Sequence, residues 1–535
     1  MQYPTQIIKT VVNNFKNQYP EIEQIPAGIE PPPETETGDL AVALPMRVAG
    51  ALQRSPREIA TELAALLKEC PELKSVEIAG PGFVNCTFTD SFLLKSVEEI
   101  IEQQTVEFPE PGSNKRVLIE FVSANPTGPL HVGHGRGAVY GDVLARLFEV
   151  FGYQVEREYY VNDGGSQVER LAESMLLRAR QAEGEAVELS EDHYRGSYLK
   201  EIVDDSDISV GDSIETVARR GKEEILDWIF STLERFRINF DNRVYESEVA
   251  PPEAVAGLVK RLEEEGLVRQ EDGATYLSTS KLGDDKDRVL IRSSGEPTYF
   301  ANDLVYHLDK YKRGADHFID IWGHDHHGYQ QRLRSGLQAL GCDAERLEIE
   351  LYQLVDLYRD GEPLQMSTRQ GEFVTLDELI DEVGVDAVRF NFLTKNHNSP
   401  LDFDIEVATS QSEDNPVYYV QYAHTRLAGI LRKAGRQFDD VEPKDSLSEA
   451  GHNLVFRALG FVPFLNQTLH GREPHRITFW LRELARDFHT YYTAHRVIDP
   501  AEPAISARRL ELVKFLKVIF KTGLELLDVK APERM

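Results

Sequence analysis

Three features predict an α/β chain organised around a doubly wound parallel sheet, with a small α+β unit ahead of it and an all-helical bundle behind it. Between Val117 and Val161 an apolar run, a loop bearing prolines and glycine, an amphipathic helix and a second apolar run follow one another, the order that opens a Rossmann-like sheet. The stretch Phe108-Pro109-Glu110-Pro111-Gly112-Ser113-Asn114 breaks the pattern before it, and from Asn415 onward the apolar spacing is almost wholly helical. At 535 residues the chain has room for three or four domains. The breaks divide it into 1–112, 113–350, 351–414 and 415–535.

The first unit opens on an amphipathic stretch carrying Ile7, Ile8, Val11, Val12 and Phe15, then passes through a loop with Pro31, Pro32 and Pro33. Helical spacing from Pro56 to Cys70 precedes a strand-like Val84-Asn85-Cys86-Thr87-Phe88. Val117 to Ser123 reads as a buried strand, and Val132 to Phe151 as a helix with Val139, Val143, Leu147 and Val150 at helical spacing. Val155 to Val161 is the next strand. Further strands are expected at Val289–Ile291 and Phe318–Trp322, with mostly charged helix and no extra β domain between Gly164 and Arg288.

A net charge of -31 opposes nucleic-acid binding, which wants a basic surface. The charge is unevenly spread, however. Residues 415–535 hold 18 Lys and Arg against 14 Asp and Glu, while residues 1–414 hold 41 against 76. A mildly basic tail on an acidic body suits a protein that grips a polyanion at one end; the plain alternative is that the acidity serves solubility. No apolar run is long enough to span a bilayer or to act as a signal peptide. Cys70, Cys86 and Cys342 are too scattered for a disulfide framework or a structural zinc site. A cytoplasmic protein is expected.

The sharpest local signal is Ala124-Asn125-Pro126-Thr127-Gly128-Pro129-Leu130-His131-Val132-Gly133-His134. A strand ends, the chain turns, and a helix begins at two histidines three apart, which share one helix face. A helix N-terminus offers N–H groups and the positive end of a dipole, and Gly133 lets a flat ring or a phosphate approach the backbone. Two imidazole donors there can steady charge building on a phosphate under attack; the plain alternative is that His131 and His134 only cap the turn. Gly323-His324-Asp325-His326-His327-Gly328 suggests a metal site by composition. Adjacent residues at a strand end diverge, though, whereas ligands must converge, so no metal-binding residue is expected.

The stretch ending at His134 resembles the HIGH signature of class I aminoacyl-tRNA synthetases, and its surroundings resemble the arginine-specific members. So do Tyr194-Arg195-Gly196-Ser197-Tyr198-Leu199, Gly283-Asp284-Asp285-Lys286-Asp287-Arg288, Pro297-Thr298-Tyr299-Phe300-Ala301-Asn302-Asp303 and the ending Ala531-Pro532-Glu533-Arg534-Met535, so the similarity spans essentially the whole chain. It implies a ligase that converts L-arginine and Mg²⁺-bound ATP to arginyl-adenylate, then passes the arginyl group to the terminal ribose of tRNA(Arg). By resemblance, His131, Gly133, His134, Met366 and Ser367 meet ATP and Asp325 meets its ribose. Glu120, Ser123, Asn125, Tyr299 and Asp303 fall on the arginine-binding positions. Tyr418, Tyr422 and Met535 fall on tRNA-binding positions, the N-terminal unit on the part that meets the tRNA elbow. Bound tRNA is implied to be needed for activation, and a monomer with no DNA or membrane partner is expected.

A guanidinium is planar and carries five donors in a fixed fork, so it calls for carboxylates that accept two N–H bonds at once. Asp303 is assigned to it, Tyr299 to its orientation, and Glu120, Ser123 and Asn125 to the α-amino and carboxylate end. Glu120 ends an apolar strand, where an unpaired buried carboxylate would be costly. A site that pairs all these donors rejects analogues lacking them by about four to five orders of magnitude, so editing is not required. The chain departs from its family at the KMSKS loop, here Gln365-Met366-Ser367-Thr368-Arg369-Gln370-Gly371, where both lysine positions are neutral. The lysine that some arginine enzymes carry just ahead of HIGH is also missing, at Thr127-Gly128-Pro129. Arg369 is the expected stand-in on the departing pyrophosphate. A nucleotidyltransferase that works without RNA is opposed by the basic helical tail. A tRNA-binding relative without catalysis is opposed by Glu120, His131, His134 and Asp303, and favoured only by the neutral loop.

Overall fold

The computed structural model describes residues 3–33, 36–364 and 374–535. The N-terminal unit is a four-stranded antiparallel sheet in the order Ile29–Glu30, Leu40–Val42, Phe83–Phe88, Leu73–Ala79. The amphipathic start forms the helix Pro4–Lys16, with Ile8, Val12 and Phe15 fully buried on one side. Ser55 and Glu58 exchange side-chain and backbone hydrogen bonds at the start of Pro56–Leu67, a capping box.

The central sheet is five-stranded and wholly parallel. Its strands are β1 (Arg116–Glu120), β2 (Gln154–Val161), β3 (Asn242–Tyr245), β4 (His317–Gly323) and β5 (Leu347–Tyr352), in the spatial order β5-β4-β1-β2-β3. Helix α1 (Val132–Val150) crosses from β1 to β2, and α2 (Tyr299–Lys312) precedes β4. Chain order reverses between β1 and β4, so a crevice opens past the carboxyl ends of these two strands. Val117, Leu118 and Ile119 are buried, as a central parallel strand requires. Helix α1 sits so close to the sheet that a Cβ on Gly141 would lie 2.4 Å from the Phe121 ring.

The middle of the chain corrects two expectations. Arg288–Ile291 is a strand, but it joins Ala274–Leu277 and Val268–Glu271 in a separate antiparallel sheet. The stretch before it is mostly helical, at Gly165–Ala182, Tyr198–Asp205, Ile214–Arg235 and Pro252–Glu264, but it supplies two strands of that sheet, against the expectation of no extra β domain. It also supplies β3, a short edge strand whose half-buried side chains show too little alternation to stand out.

Residues 351–414 add Val355–Arg359, paired parallel to Leu401–Asp404 and antiparallel to Glu362–Pro363, together with helices Leu376–Val383 and Val385–Phe392. Arg136 of α1, 1% exposed, ties this segment down by donating to the carbonyls of Gln353, Leu354, Asn396 and Ser399. The C-terminal bundle includes α3 (Pro416–Ala434), α4 (Glu449–Leu459) and α5 (His475–Ala494) and ends on Pro503–Leu526. It closes back on the rest of the molecule at several places, of which two are built on buried or half-buried charge. Buried Arg389 pairs with Asp142 and donates to the carbonyls of Phe236 and Leu527. His452 on α4 sits between Asp39 and Asp90 of the N-terminal unit. Among the described residues no helix is long and apolar enough to cross a membrane.

Candidate active site

A cleft of about 1400 Å³ opens where the chain order reverses. Its lining includes Glu120, Ser123, Asn125, His131, Gly133, His134, Tyr299, Asp303 and Asp325, so residues from distant parts of the chain share one space.

Both histidines belong to the start of α1. His131 is the N-cap, and its Nδ1 accepts from the N–H of Gly133 at 3.1 Å and of His134 at 3.4 Å. His134 Nδ1 in turn accepts from the His131 N–H at 3.3 Å, and the rings stack 3.7 Å apart. The histidines therefore do cap the helix, and the capping selects their chemistry. With each Nδ1 an acceptor, each neutral ring carries its proton on Nε2. Burial lowers both pKa values, that of His134 well below the usual histidine range. The result is two neutral N–H donors on a rigid helix start.

Glu120 closes β1 and is not unpaired. Its carboxylate accepts from Ser123 Oγ at 2.9 Å and from the Tyr306 hydroxyl at 2.9 Å, and it forms an ion pair with Lys310. Just beyond it Val122 (φ 69°) and Ser123 (φ 39°) take left-handed backbone, which costs a non-glycine residue on the order of 1–3 kcal/mol. The bend brings Ser123 Oγ back to Glu120, where it also accepts from the Tyr160 N–H at 3.1 Å. Asn125 Nδ2 donates to Gln167 Oε1 at 2.9 Å, and both residues line the same cleft.

Tyr299 and Asp303 stand on one face of the first turns of α2. Tyr299 is 46% exposed. Asp303 accepts a short hydrogen bond from the Tyr329 hydroxyl. Burial raises its carboxyl to about 6, against the pull of His307 and Tyr329. A second acid, Glu246, lies directly after β3 and also lines the cleft. It accepts from the Tyr160 hydroxyl at 2.6 Å and from Asn302 Nδ2 at 3.1 Å, and its charge adds to the upward pressure on Asp303. The sequence reading missed Glu246. Its only signal is an acid at the carboxyl end of a sheet strand, and that strand was itself not recognised.

Asp325 lies in the short 3-10 turn His324–Tyr329 after β4, exposed at the cleft, with His326 3.6 Å away. In this turn His324 stacks on His327, while His326 tilts against Trp322. Among the described residues no group of three or more His, Cys, Asp and Glu could hold a metal ion. Met366, Ser367 and Arg369 lie outside the described residues. The flanks of their stretch reach the site, since Leu364 lines the cleft and Thr375 pairs with His131. Tyr418 and Tyr422 are on α3, half-buried, their rings 6.0 Å apart and within 5° of parallel. The Arg426 guanidinium covers the Tyr422 ring at 4.6 Å and the Tyr492 ring at 5.2 Å. Met535 is 55% exposed.

A parallel sheet whose switch-point cleft is bordered by an H-x-x-H helix start defines the core of a class I aminoacyl-tRNA synthetase. The family model for the class I (R) tRNA synthetase catalytic domain matches residues 96–412, with the arginyl tRNA synthetase N-terminal domain at 4–88 and a DALR anticodon binding domain at 420–535. The arginine–tRNA ligase of Citrifermentans bemidjiense is 42% identical over 99% of both chains, and that of Thermotoga petrophila 39% identical over 98% of this chain and 100% of its own. The structure of Thermus thermophilus arginyl-tRNA synthetase shares the fold, with a TM-score of 0.79 at 24% identity over 99% of this chain and 100% of that one. The chain belongs to the arginyl-tRNA synthetase family.

Proposed function

We propose that this arginine–tRNA ligase runs both of its steps in the one cleft. The arginine carboxylate attacks the α-phosphate of ATP, which enters as its Mg²⁺ complex, and pyrophosphate leaves. The terminal ribose hydroxyl of tRNA(Arg) then takes the arginyl group and AMP leaves. Asp303 and Glu246 accept the guanidinium N–H groups, Tyr299 orients that group, and Glu120, Ser123 and Asn125 meet the α-amino and carboxylate end. His131 and His134 donate from Nε2 to the phosphate oxygens, Gly133 lets them approach, and Asp325 accepts from the ATP ribose. Met366, Ser367 and Arg369 complete the phosphate side. No side-chain nucleophile is required, because positioning and oriented donors supply the catalysis.

The observation that carries this reading is the pairing within one cleft of two tyrosine-held carboxylates with two neutral histidine donors at a helix start. Carboxylates suit an always-charged guanidinium, and fixed neutral donors suit charge that develops on phosphate. Tyr418, Tyr422 and Met535 bind tRNA on the helical bundle, the enzyme acts as a monomer, and it works in the cytoplasm; the basic balance of residues 415–535 supports the first of these. The test is ATP–pyrophosphate exchange with each amino acid, with and without tRNA(Arg). Exchange that depends on arginine and on the tRNA is expected. Equal exchange with lysine or citrulline would overturn the assignment of the two carboxylates.

A further inference from the structure

Three carboxylates stand side by side across the middle of the parallel sheet. Glu158 on β2, Glu120 on β1 and Asp320 on β4 are register partners on adjacent strands, and all three are buried. Like charges at this spacing repel, and burial makes each more costly. Helix α2 lies over them and answers with Tyr306, His307 and Lys310, followed by Arg313 at its end. Arg313 forks onto both oxygens of Glu158. His307 places Nε2 2.8 Å from Asp320 and Nδ1 2.8 Å from the carbonyl oxygen of Asp303. Lys310, with no exposed surface, donates to Asp320 at 2.7 Å and to Glu120. Burial pushes Asp320 up, yet Lys310 and His307 hold it down to about 2. Lys310, Arg313 and the His307 ring thus answer three carboxylates.

Glu120 is the carboxylate of the three that lines the cleft, and its support is uneven. The Tyr306 hydroxyl has one proton to share between Glu120 at 2.9 Å and Glu158 at 2.7 Å. Ser123 contributes one neutral hydrogen bond. Among the described residues Lys310 is the only cation paired with Glu120. We propose that Lys310, buried beneath the cleft and out of reach of substrate, is a positioning residue of the amino-acid site: it holds Glu120 ionised and oriented toward the α-ammonium of the incoming arginine. The inference rests on reading Glu120 as the partner of that ammonium. Without Lys310, Glu120 stands beside Glu158 and Asp320 with Ser123 and a shared Tyr306 proton for support. The simplest relief is to take up a proton, which cancels its attraction for the ammonium.

The test is ATP–pyrophosphate exchange by the full-length chain with tRNA(Arg) present, from about pH 7 to about 8.5, above the usual carboxylate range. Lys310→Met should raise the arginine KM about tenfold or more at the lower pH and leave the ATP KM unchanged. The arginine KM of this variant should fall as pH rises, because Glu120 must now lose a proton before it binds; the wild-type profile should be flat. Lys310→Arg keeps the charge and should keep the flat profile. Glu120→Gln and the double variant Glu120→Gln/Lys310→Met should share one arginine KM, since Lys310 acts only through Glu120. The double variant also keeps the comparison open if Lys310→Met alone does not fold. A flat profile and wild-type arginine KM in Lys310→Met, or a further loss in the double variant over Glu120→Gln, would overturn the inference. A Glu120→Gln enzyme with wild-type arginine KM would overturn the underlying reading of Glu120 instead.

Discussion

The Tyr329 hydroxyl donates a hydrogen bond to Asp303, joining the turn after β4 to the first turns of α2 inside the cleft. Burial raises the Asp303 carboxyl to about 6, with His307 and Tyr329 pulling against it. An acid raised in the folded state lends stability below its unfolded value, and that stability is lost as pH rises through the folded one. Ligand-free Asp303→Asn should therefore be more stable than wild type above about pH 6, by about 3 kcal/mol, and no more stable near the unfolded carboxylate range. The same change should cost arginine use about 3–5 kcal/mol, because a buried charge pair is broken, with the ATP KM unaltered. In the wild type the arginine KM should climb as pH falls through about 6. Calorimetry and exchange kinetics on one pair of proteins check all three; a wild-type arginine KM in Asp303→Asn would remove this residue from the site.

The parallel rings of Tyr418 and Tyr422 present a stacking surface on α3, with Arg426 over one of them. Tyr422→Ala should weaken tRNA(Arg) binding by about 1–3 kcal/mol, the value of one stacked base, and leave arginine and ATP KM values unchanged. Filter binding and exchange kinetics measure the two separately. Deleting residues 415–535 is a cruder test, expected to flatten the salt dependence of tRNA binding and to abolish exchange. It also strips Arg389 of the Leu527 carbonyl and Arg237 of the Asp528 carbonyl, so the point change is the cleaner test of the proposed contact.

Leu364 and Thr375, which flank residues 365–373, both abut the site. The proposed role of Arg369, the cation beside the neutral lysine positions Gln365 and Thr368, is tested directly by substitution. Arg369→Ala should lower kcat for adenylate formation about 100-fold, the scale of one lost transition-state donor, with little change in the arginine KM. Thr368→Lys should speed the step. A near-normal kcat in the alanine variant would send the search to another cation.

His452 bridges the N-terminal unit and the helical bundle, Nδ1 2.9 Å from Asp90 and Nε2 3.0 Å from Asp39. The hydrogen bond to Asp39 raises its pKa, burial opposing and Asp90 adding to the rise. A base raised in this way stabilises the contact fully below the usual histidine value and loses that effect as pH rises through the raised one. Backbone hydrogen exchange in Phe83–Phe88 and in α4, corrected for intrinsic rate, should quicken across that window in the wild type. His452→Gln should show no such step; an equal step in both would assign the pH dependence to other groups.

Two parts of the candidate site were legible because their signals are local, while the roles of its residues came from resemblance. A helix that starts at His131 and His134 needs only a turn and a change of period, and Tyr299 with Asp303 needs only a spacing of four on one helix. Resemblance along the whole chain then supplied the family. Other features were decided only by which strands became neighbours. Arg288–Ile291 is an apolar run that suits either sheet, and contacts with Ala274–Leu277 put it in the antiparallel one. The partner of Glu120 is Lys310, far along the chain, and no periodicity links them; they meet because β1 and β4 are adjacent and α2 covers both. Glu246 joined the cleft in the same way, carried there by an edge strand too short to show in the sequence. Turn chemistry and periodicity depend on neighbouring residues and can be read in one dimension, whereas the pairing of buried charges depends on distances that exist only once the sheet has closed.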